Sequence, residues 1–407
     1  MIADNARLIV DMCNALAGVK GDRGHIVQSS NRCFMSPLVS ILIPCYNARP
    51  WIAQCIQSAI DQTYPHKEIV VVDDGSTDGS LDVIRDFSDR IRFETGPNRG
   101  GNVARNRLIE LSRGSWLSFL DADDYLLPEK IKRQMTLIAS NGNIDVVYSP
   151  LIELIQKTGR ISQRLVEDDD LYANYIRWVP FSSIAPLWRK SAILEVGGWN
   201  PNQPVCQEHE LLLRLIMAGK RFELSCEPLS VYRKVDSSIS RRWPLSHYTR
   251  KAALTDQLEA YLVASGKLKG KHRLALGQVR FEDARTTYAY DKEFAENLIR
   301  KIYETQDGFY PSGDRAPFLY RVAFKTFGFR ISESIAATVR KYRRFPVSAR
   351  VTIVQCNCGA EYRRTKEKFL VPHNAICAVC GAALESWSES THVSIYELVE
   401  RPDRKPD

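Results

Sequence analysis

Short, β-branched apolar runs separated by single helical stripes fill the chain from residue 39 to residue 120, and they leave few folds open. Val39-Ser40-Ile41-Leu42-Ile43 is closed by Pro44, which suits a strand buried on both faces. Trp51, Ile52, Cys55, Ile56, Ala59 and Ile60 then fall on one helical stripe. A second buried strand is expected at 68–72, a helix from Leu81, Ile84 and Phe87, and a third strand near 90–94. A helix over 103–111 and a fourth buried strand at 116–120 follow. This alternation implies parallel strands joined by right-handed crossovers. In such sheets ligands bind beyond the carboxyl ends of the strands. The predicted fold class is α/β, Rossmann-like, with a mostly parallel sheet and flanking helices.

The rest of the chain reads differently. Residues 253–342 carry helical patterns broken at 266–270 and 311–317. This stretch ends strongly basic, with Lys325, Arg330, Arg340, Lys341, Arg343, Arg344 and Arg350. From Val351 the pattern is short strands and cysteine pairs. The expected division is an N-terminal extension (1–36), an α/β domain (37–245), a helical basic region (246–350) and a small β domain (351–407). With 44% hydrophobic and 26% charged residues in 407, the chain is neither disordered nor collagen-like. No apolar run approaches the roughly 18 residues of a membrane span. The net charge of +8 is compatible with anionic small molecules, polyanions or membrane head groups and does not choose among them. In 1–36, Asp4, Asp11 and Asn14 interrupt what an export signal keeps apolar, and no basic head precedes it. A cytoplasmic location with reduced thiols is therefore expected, and clustered cysteines then point to metal.

Asp121-Ala122-Asp123 ends the fourth strand. Two carboxylates one residue apart on a tight turn can face one hard cation, Mg²⁺ or Mn²⁺ bridging a diphosphate; an exposed acidic turn or a helix cap before Pro128 is the other reading. Asp73-Asp74-Gly75-Ser76 sits one strand–helix unit earlier. Asp73 suits acceptance of hydrogen bonds from a base or ribose, whereas Asp78 suits capping of the next helix.

Together, the segments 39–47 and 70–78, then Asn98-Arg99-Gly100-Gly101, Ala104-Arg105-Asn106 and 119–124 resemble a family 2 glycosyltransferase with the GT-A fold, over about residues 37–240. The resemblance implies an inverting, metal-dependent transfer from a nucleotide-diphosphate sugar to a hydroxyl on a glycan, lipid-linked or protein acceptor. It places Pro44, Tyr46 and Asn47 beside the nucleotide, Asp73 on the base, and Arg105 near the base or diphosphate. Asp121 and Ala122 would face the ribose or sugar, and Asp123 would hold Mn²⁺ or Mg²⁺. Cys45 stands where the family often has threonine. Glu208, in Gln207-Glu208-His209-Glu210-Leu211, aligns with the family's catalytic base; Glu208 and Glu210 as first-turn acids favoured by a helix dipole is the alternative. Trp199 either stacks on a sugar or belongs to the core. Arg241 is a candidate to close on the diphosphate from a lid. The processive signature Gln-x-x-Arg-Trp is not evident, so single-sugar addition in surface polysaccharide, lipid or glycoprotein glycan synthesis is expected.

Cys356-Asn357-Cys358-Gly359 and Cys377-Ala378-Val379-Cys380-Gly381 form two knuckles suited to tetrahedral Zn²⁺, similar to a rubredoxin-like zinc ribbon. Its role would be structural, with a protein partner through the ribbon and no nucleic acid, since no basic-aromatic stripe accompanies it. An inactive GT-A scaffold carrying this module is the alternative function. Residues 340–350 would supply peripheral contact with the inner face of a membrane, or else a solvated helix face.

Overall fold

The computed structural model describes residues 36–343 apart from 157, 165, 167–169, 180–181, 235–243 and 314, and beyond them only the backbone of strands between 352 and 400. One compact unit spans Cys33–Ile335.

The unit begins with β1 (Val39–Cys45), α1 (Ile52–Ile60), β2 (Lys67–Asp73), α2 (Ser80–Arg85), β3 (Arg92–Thr95), α3 (Gly101–Leu111) and β4 (Trp116–Phe119). It continues with β5 (Tyr125–Leu126), α4 (Lys130–Ser140), β6 (Val146–Tyr148), β7 (Leu151–Ile155), β8 (Arg160–Arg164) and α5 (Leu171–Arg177). Then come β9 (Leu187–Arg189), α6 (Lys190–Glu195), α7 (Gln207–Met217), β10 (Phe222–Leu224) and β11 (Ser230–Lys234). The helices α8 (Pro244–Ala264), α9 (Gly270–Thr287), α10 (Lys292–Thr305) and α11 (Phe318–Arg343) follow.

The main sheet has seven strands in the order β10-β6-β9-β4-β1-β2-β3. All its pairings are parallel except those of β9, which runs antiparallel between β4 and β6. The period-2 rule for strands explains its two cores. Leu42, Val70, Val72, Leu117 and Phe119 point to one face, towards α3 and α7. Val39, Ile41, Ile43, Ile69, Val71 and Trp116 point to the other, towards α1 and α4. The α/β fold expected from the alternating pattern is thus present, with strand and helix positions within a few residues of those expected. A second, four-stranded sheet, ordered β5-β11-β7-β8, flanks the carboxyl end of β4.

The first two helices after residue 244 share the core of the α/β part, whereas the buried Leu298, Ile299, Ile302, Phe309 and Phe324 lie outside that cluster. Leu254, Leu258, Leu262, Ala275, Leu276 and Val279 belong to the same buried cluster as Tyr175, Leu211 and Leu212 of the α/β part. The second compact unit, which includes residues 336–407, carries a three-stranded antiparallel sheet of β12 (Thr352–Gln355), β13 (Glu361–Lys368) and β16 (His392–Glu400). β14 (His373–Ile376) and β15 (Ala383–Trp387) pair antiparallel. Cys356, Cys358, Cys377 and Cys380, the expected zinc ligands, lie outside the described residues, as do Arg241 and the side chains of the basic stretch 340–350.

Candidate active site

The carboxyl ends of β1, β2 and β4 lie side by side, because Cys45 is in register with Asp73 and Leu42 with Phe119. The loop after β2 is built by its own acids. Asp73 is buried; one carboxylate oxygen accepts from the Thr95 hydroxyl at 2.7 Å and the other from the Ser76 N–H at 3.3 Å. Asp74 accepts the N–H groups of Arg99 and Gly100 at 2.8 and 2.9 Å, so it satisfies the otherwise unpaired start of α3. Gly75 at φ 77 lies so close to this segment that a Cβ would meet the Asn98 nitrogen at 2.7 Å. Asp78 accepts from the N–H groups of Ser80 and Arg49, but it is not the N-cap of α2, which is Gly79 with no side-chain cap bond. Asn47, at φ 49, accepts from the Thr77 N–H at 2.8 Å. Tyr46 is 53% exposed at this rim. The Cys45 thiol is pushed up to about 12 by burial and by the charge of Asp73, so it is a neutral wall.

After β4 the chain turns through Asp121-Ala122-Asp123-Asp124. Asp121 accepts from the Arg105 guanidinium at 2.7 Å and from the Ser183 hydroxyl at 2.5 Å. Asp124 is buried and accepts the backbone N–H of Arg233 at 2.7 Å. Burial, then the charges of Asp123 and Asp121, push it well above the usual carboxylate range. The guanidinium of Arg233, on β11, donates to the Asp123 carbonyl at 2.9 Å and to Gln54 at 2.6 Å, and lies over the ring of Trp51. These contacts fix the turn from below.

Asp123 is different. Burial, then the neighbouring charge of Asp121, push it up to about 6, although Arg233 and Arg105 pull the other way. A half-buried carboxylate held beside a second carboxylate is a site whose electrostatics a divalent cation would relieve, with oxygen donors of the hard type that Mg²⁺ and Mn²⁺ take. Among the described residues no group of three or more His, Cys, Asp or Glu side chains is placed to hold a metal ion, so the protein alone would supply such an ion with Asp123 and few other ligands.

The candidate base enters from the far side through α3. Arg105 is buried. Besides Asp121 it donates to Gln207 at 2.8 Å and lies 4.8 Å over the ring of Trp199. Asn106 grips the backbone of Trp199, donating to its carbonyl at 2.7 Å and accepting its N–H at 2.9 Å. Gly198, at φ 74, approaches so closely that a Cβ would meet the Asn106 carbonyl oxygen at 2.7 Å. Asn102 donates to the carbonyls of Asn200 and Gln203. One helix thereby holds the loop that leads into α7, whose N-cap is Cys206 at φ 57.

On the first turn of α7, Glu210 is bound by Arg214 through two hydrogen bonds of 2.8 Å. Glu208 accepts no hydrogen bond from another described residue. Its carboxyl is raised by burial; Arg105 draws it down and Asp121 pushes it up again. Glu208, Arg105, Asp121 and Asp123 therefore share one electrostatic field. Between the two readings of Trp199, the core one holds: its side chain is fully buried, edge-on to Phe119. His209 stacks on Trp178 at 3.5 Å and points into the core. Gln54, Ser183, Gln207 and Arg233 were not legible in the sequence, because single polar residues on separate elements leave no local pattern.

Residues 40–190 match the model of glycosyl transferase family 2. The chain is 40% identical over 103 residues to the putative teichuronic acid biosynthesis glycosyltransferase TuaG of Bacillus subtilis, covering 24% of this chain and 41% of that one. It is 29% identical over 197 residues to the chondroitin synthase of Pasteurella multocida, covering 45% of this chain and 19% of the other. The chain thus spans less than half the length of these curated relatives. Among solved structures, S. aureus TarS 1-349 is similar with a TM-score of 0.52 at 14% identity, over 80% of this chain and 96% of that one, a likeness of fold.

Proposed function

We propose that this chain, which carries a family 2 glycosyltransferase domain, moves a sugar from a nucleotide-diphosphate donor to an acceptor hydroxyl with inversion at the anomeric carbon. The observation that carries the reading is Glu208. It is a carboxylate with raised proton affinity that accepts no hydrogen bond from another described residue and lies in the field of Arg105 and Asp121. A base so placed takes the acceptor proton as the acceptor oxygen bonds to the anomeric carbon. The bond from that carbon to the diphosphate breaks, and the nucleoside diphosphate leaves. A base works best when its pKa lies near the working pH, and burial moves Glu208 in that direction. Asp123 would hold Mn²⁺ or Mg²⁺, which supplies positive charge for the departing diphosphate. The adjacent ends of β1 and β2, with Tyr46, Asn47 and Asp73, would receive the nucleotide. Relatives named for teichuronic acid and chondroitin synthesis favour a polysaccharide acceptor.

The test is nucleotide release from UDP-, GDP- and dTDP-sugars with Mn²⁺. Glu208→Gln is expected to lower kcat by about 10²–10⁴-fold, with donor-induced thermal stabilisation retained. In the wild type, kcat should rise with pH as Glu208 loses its proton. Wild-type turnover by Glu208→Gln would refute the assignment.

A further inference from the structure

Helix α5 ends in a residue that the fold holds against two opposing terms. Trp178, its C-cap, has a left-handed backbone with φ 57. Its indole nitrogen is buried and has no hydrogen-bond partner among the described residues. A left-handed conformation at a bulky residue and an unpaired buried N–H each disfavour folding. Packing alone would be served better by an apolar side chain without the N–H. What the arrangement secures is a stack on the imidazole of His209, with 3.5 Å between ring centroids and 13° between planes. His209 is buried on the first turn of α7, next to Glu208.

Other contacts bind the same turn. Tyr175, fully buried on α5, donates from its hydroxyl to the His209 carbonyl at 2.9 Å. From α8, His247 meets Trp178 edge-on, and its Nδ1 lies 3.5 Å from the Sγ of Cys206, the N-cap of α7. Lys251 of α8, paired with Asp283 of α9 at 2.8 Å, lies 5.4 Å over the Trp178 ring. Helix α5 is itself anchored at its start. Its N-cap Asp170 accepts the Ala173 N–H at 3.0 Å and the Lys271 ammonium at 2.9 Å. His272 Nδ1 accepts the Lys269 N–H at 3.1 Å, so Nε2 carries the proton that it donates to Asp170 at 3.1 Å. Helices α8 and α9 thus hold α5, and α5 holds the turn that carries Glu208.

We infer that Trp178 and Tyr175 are positioning residues for sugar transfer, fixing the first turn of α7 and with it the carboxylate of Glu208. The inference rests on the proposed role of Glu208 as the base. Displacing a reacting group by about 1 Å costs roughly 10²-fold in rate. A looser turn also lets water reach the carboxyl, whose proton affinity then falls back towards the ordinary value. The charged and titratable groups that face Glu208 are Arg105 of α3, Asp121 after β4 and the Cys206 thiol, and the variants below leave all three in place.

Nucleotide release by the full chain from UDP-, GDP- and dTDP-sugars with Mn²⁺, followed across pH, tests it. Trp178→Leu should lower kcat about tenfold or more, move the acid limb of the kcat profile to lower pH, and leave donor KM within about twofold. Tyr175→Phe removes only the hydroxyl; it should act in the same direction more weakly, and it decides the matter if Trp178→Leu does not fold. Trp178→Phe keeps a ring on His209 and should recover most of kcat. Infrared titration of the carboxyl band, taken as the difference from Glu208→Gln, reads the same downward shift without turnover. Folded variants with wild-type kcat and an unmoved titration overturn the inference. So does a fall in kcat with an unmoved titration, which is what a merely structural defect produces. Wild-type turnover by Glu208→Gln would refute the base itself, whereas an inactive Glu208→Gln beside a fully active Trp178→Leu refutes this inference alone.

Discussion

Asp123 illustrates how an ionised group can oppose stability at a single residue. Its folded-state value, raised to about 6, means that the fold favours the protonated acid more than the unfolded chain does. The cost of ionising it in the fold therefore grows as pH rises from the ordinary carboxylate value to about 6 and is complete above that. Asp123→Asn should be more stable than the wild type at pH 7 by about 1–2 kcal/mol, allowing for solvent screening, and equal to it near pH 4. Thermal midpoints at the two pH values measure this, and added Mn²⁺ should close the gap by stabilising only the wild type. Lys130 gives the mirror case. It is fully buried on Ser118 at 2.8 Å, and burial lowers it to about 7. Its penalty is complete below pH 7 and fades towards pH 10, so Lys130→Met should gain about 1–3 kcal/mol at pH 7 in denaturant titration and nothing at pH 10. The acidic pair at the end of β4 was legible because strand, turn and acids are contiguous. Arg233 was not, since it reaches the same turn from 110 residues away, and Lys130 looked like any surface lysine at a helix start.

At the scale of elements, α3 and α7 act as one piece. Arg105, Asn106 and Asn102 project from successive turns of α3 and hold the backbone of 199–203 and the side chain of Gln207. Arg214 secures the same loop from α7 by donating to the carbonyls of Val196 and Gly198. The position of Glu208 is thereby set by a helix that also holds Asp121. Gly198→Ala would force a Cβ into Asn106 at a backbone angle that disfavours it. It should cost about 1–3 kcal/mol and lower kcat more than it raises the donor KM, which steady-state kinetics would separate. A helix over 103–111 is expected and α3 lies there, whereas α7 is expected only as the helix whose first turn carries Glu208 and Glu210. The sequence did not announce β9 and β10, three residues each, because such short strands carry too little alternation to register and are held by pairing with β4 and β6 rather than by propensity. The alternative for Trp199 was equally undecidable, since its burial depends on Phe119 and Arg105 arriving from other elements.

Across the unit 33–335, one face of the α/β sheet and the helices α8 and α9 share one buried cluster that includes Leu42 and Val279. Leu258 is fully buried in it, so Leu258→Ala should cost about 2–5 kcal/mol. It should also lower a single thermal transition that intrinsic tryptophan fluorescence and donor-nucleotide binding both report; two separable transitions would mean that the helices melt independently. The composition foretold enough apolar residue for a real core but not that this core would ignore the change of pattern near residue 245. That continuity bears on how the protein comes into being. A ribosome adding about 5–20 residues per second needs several seconds between completing β9 and delivering Val279. Throughout that interval the nascent sheet holds the apolar face of Leu42, Val70 and Phe119 without its full cover, so newborn chains are exposed to aggregation and to chaperones after the strands of the sheet from β1 to β4 have been synthesised.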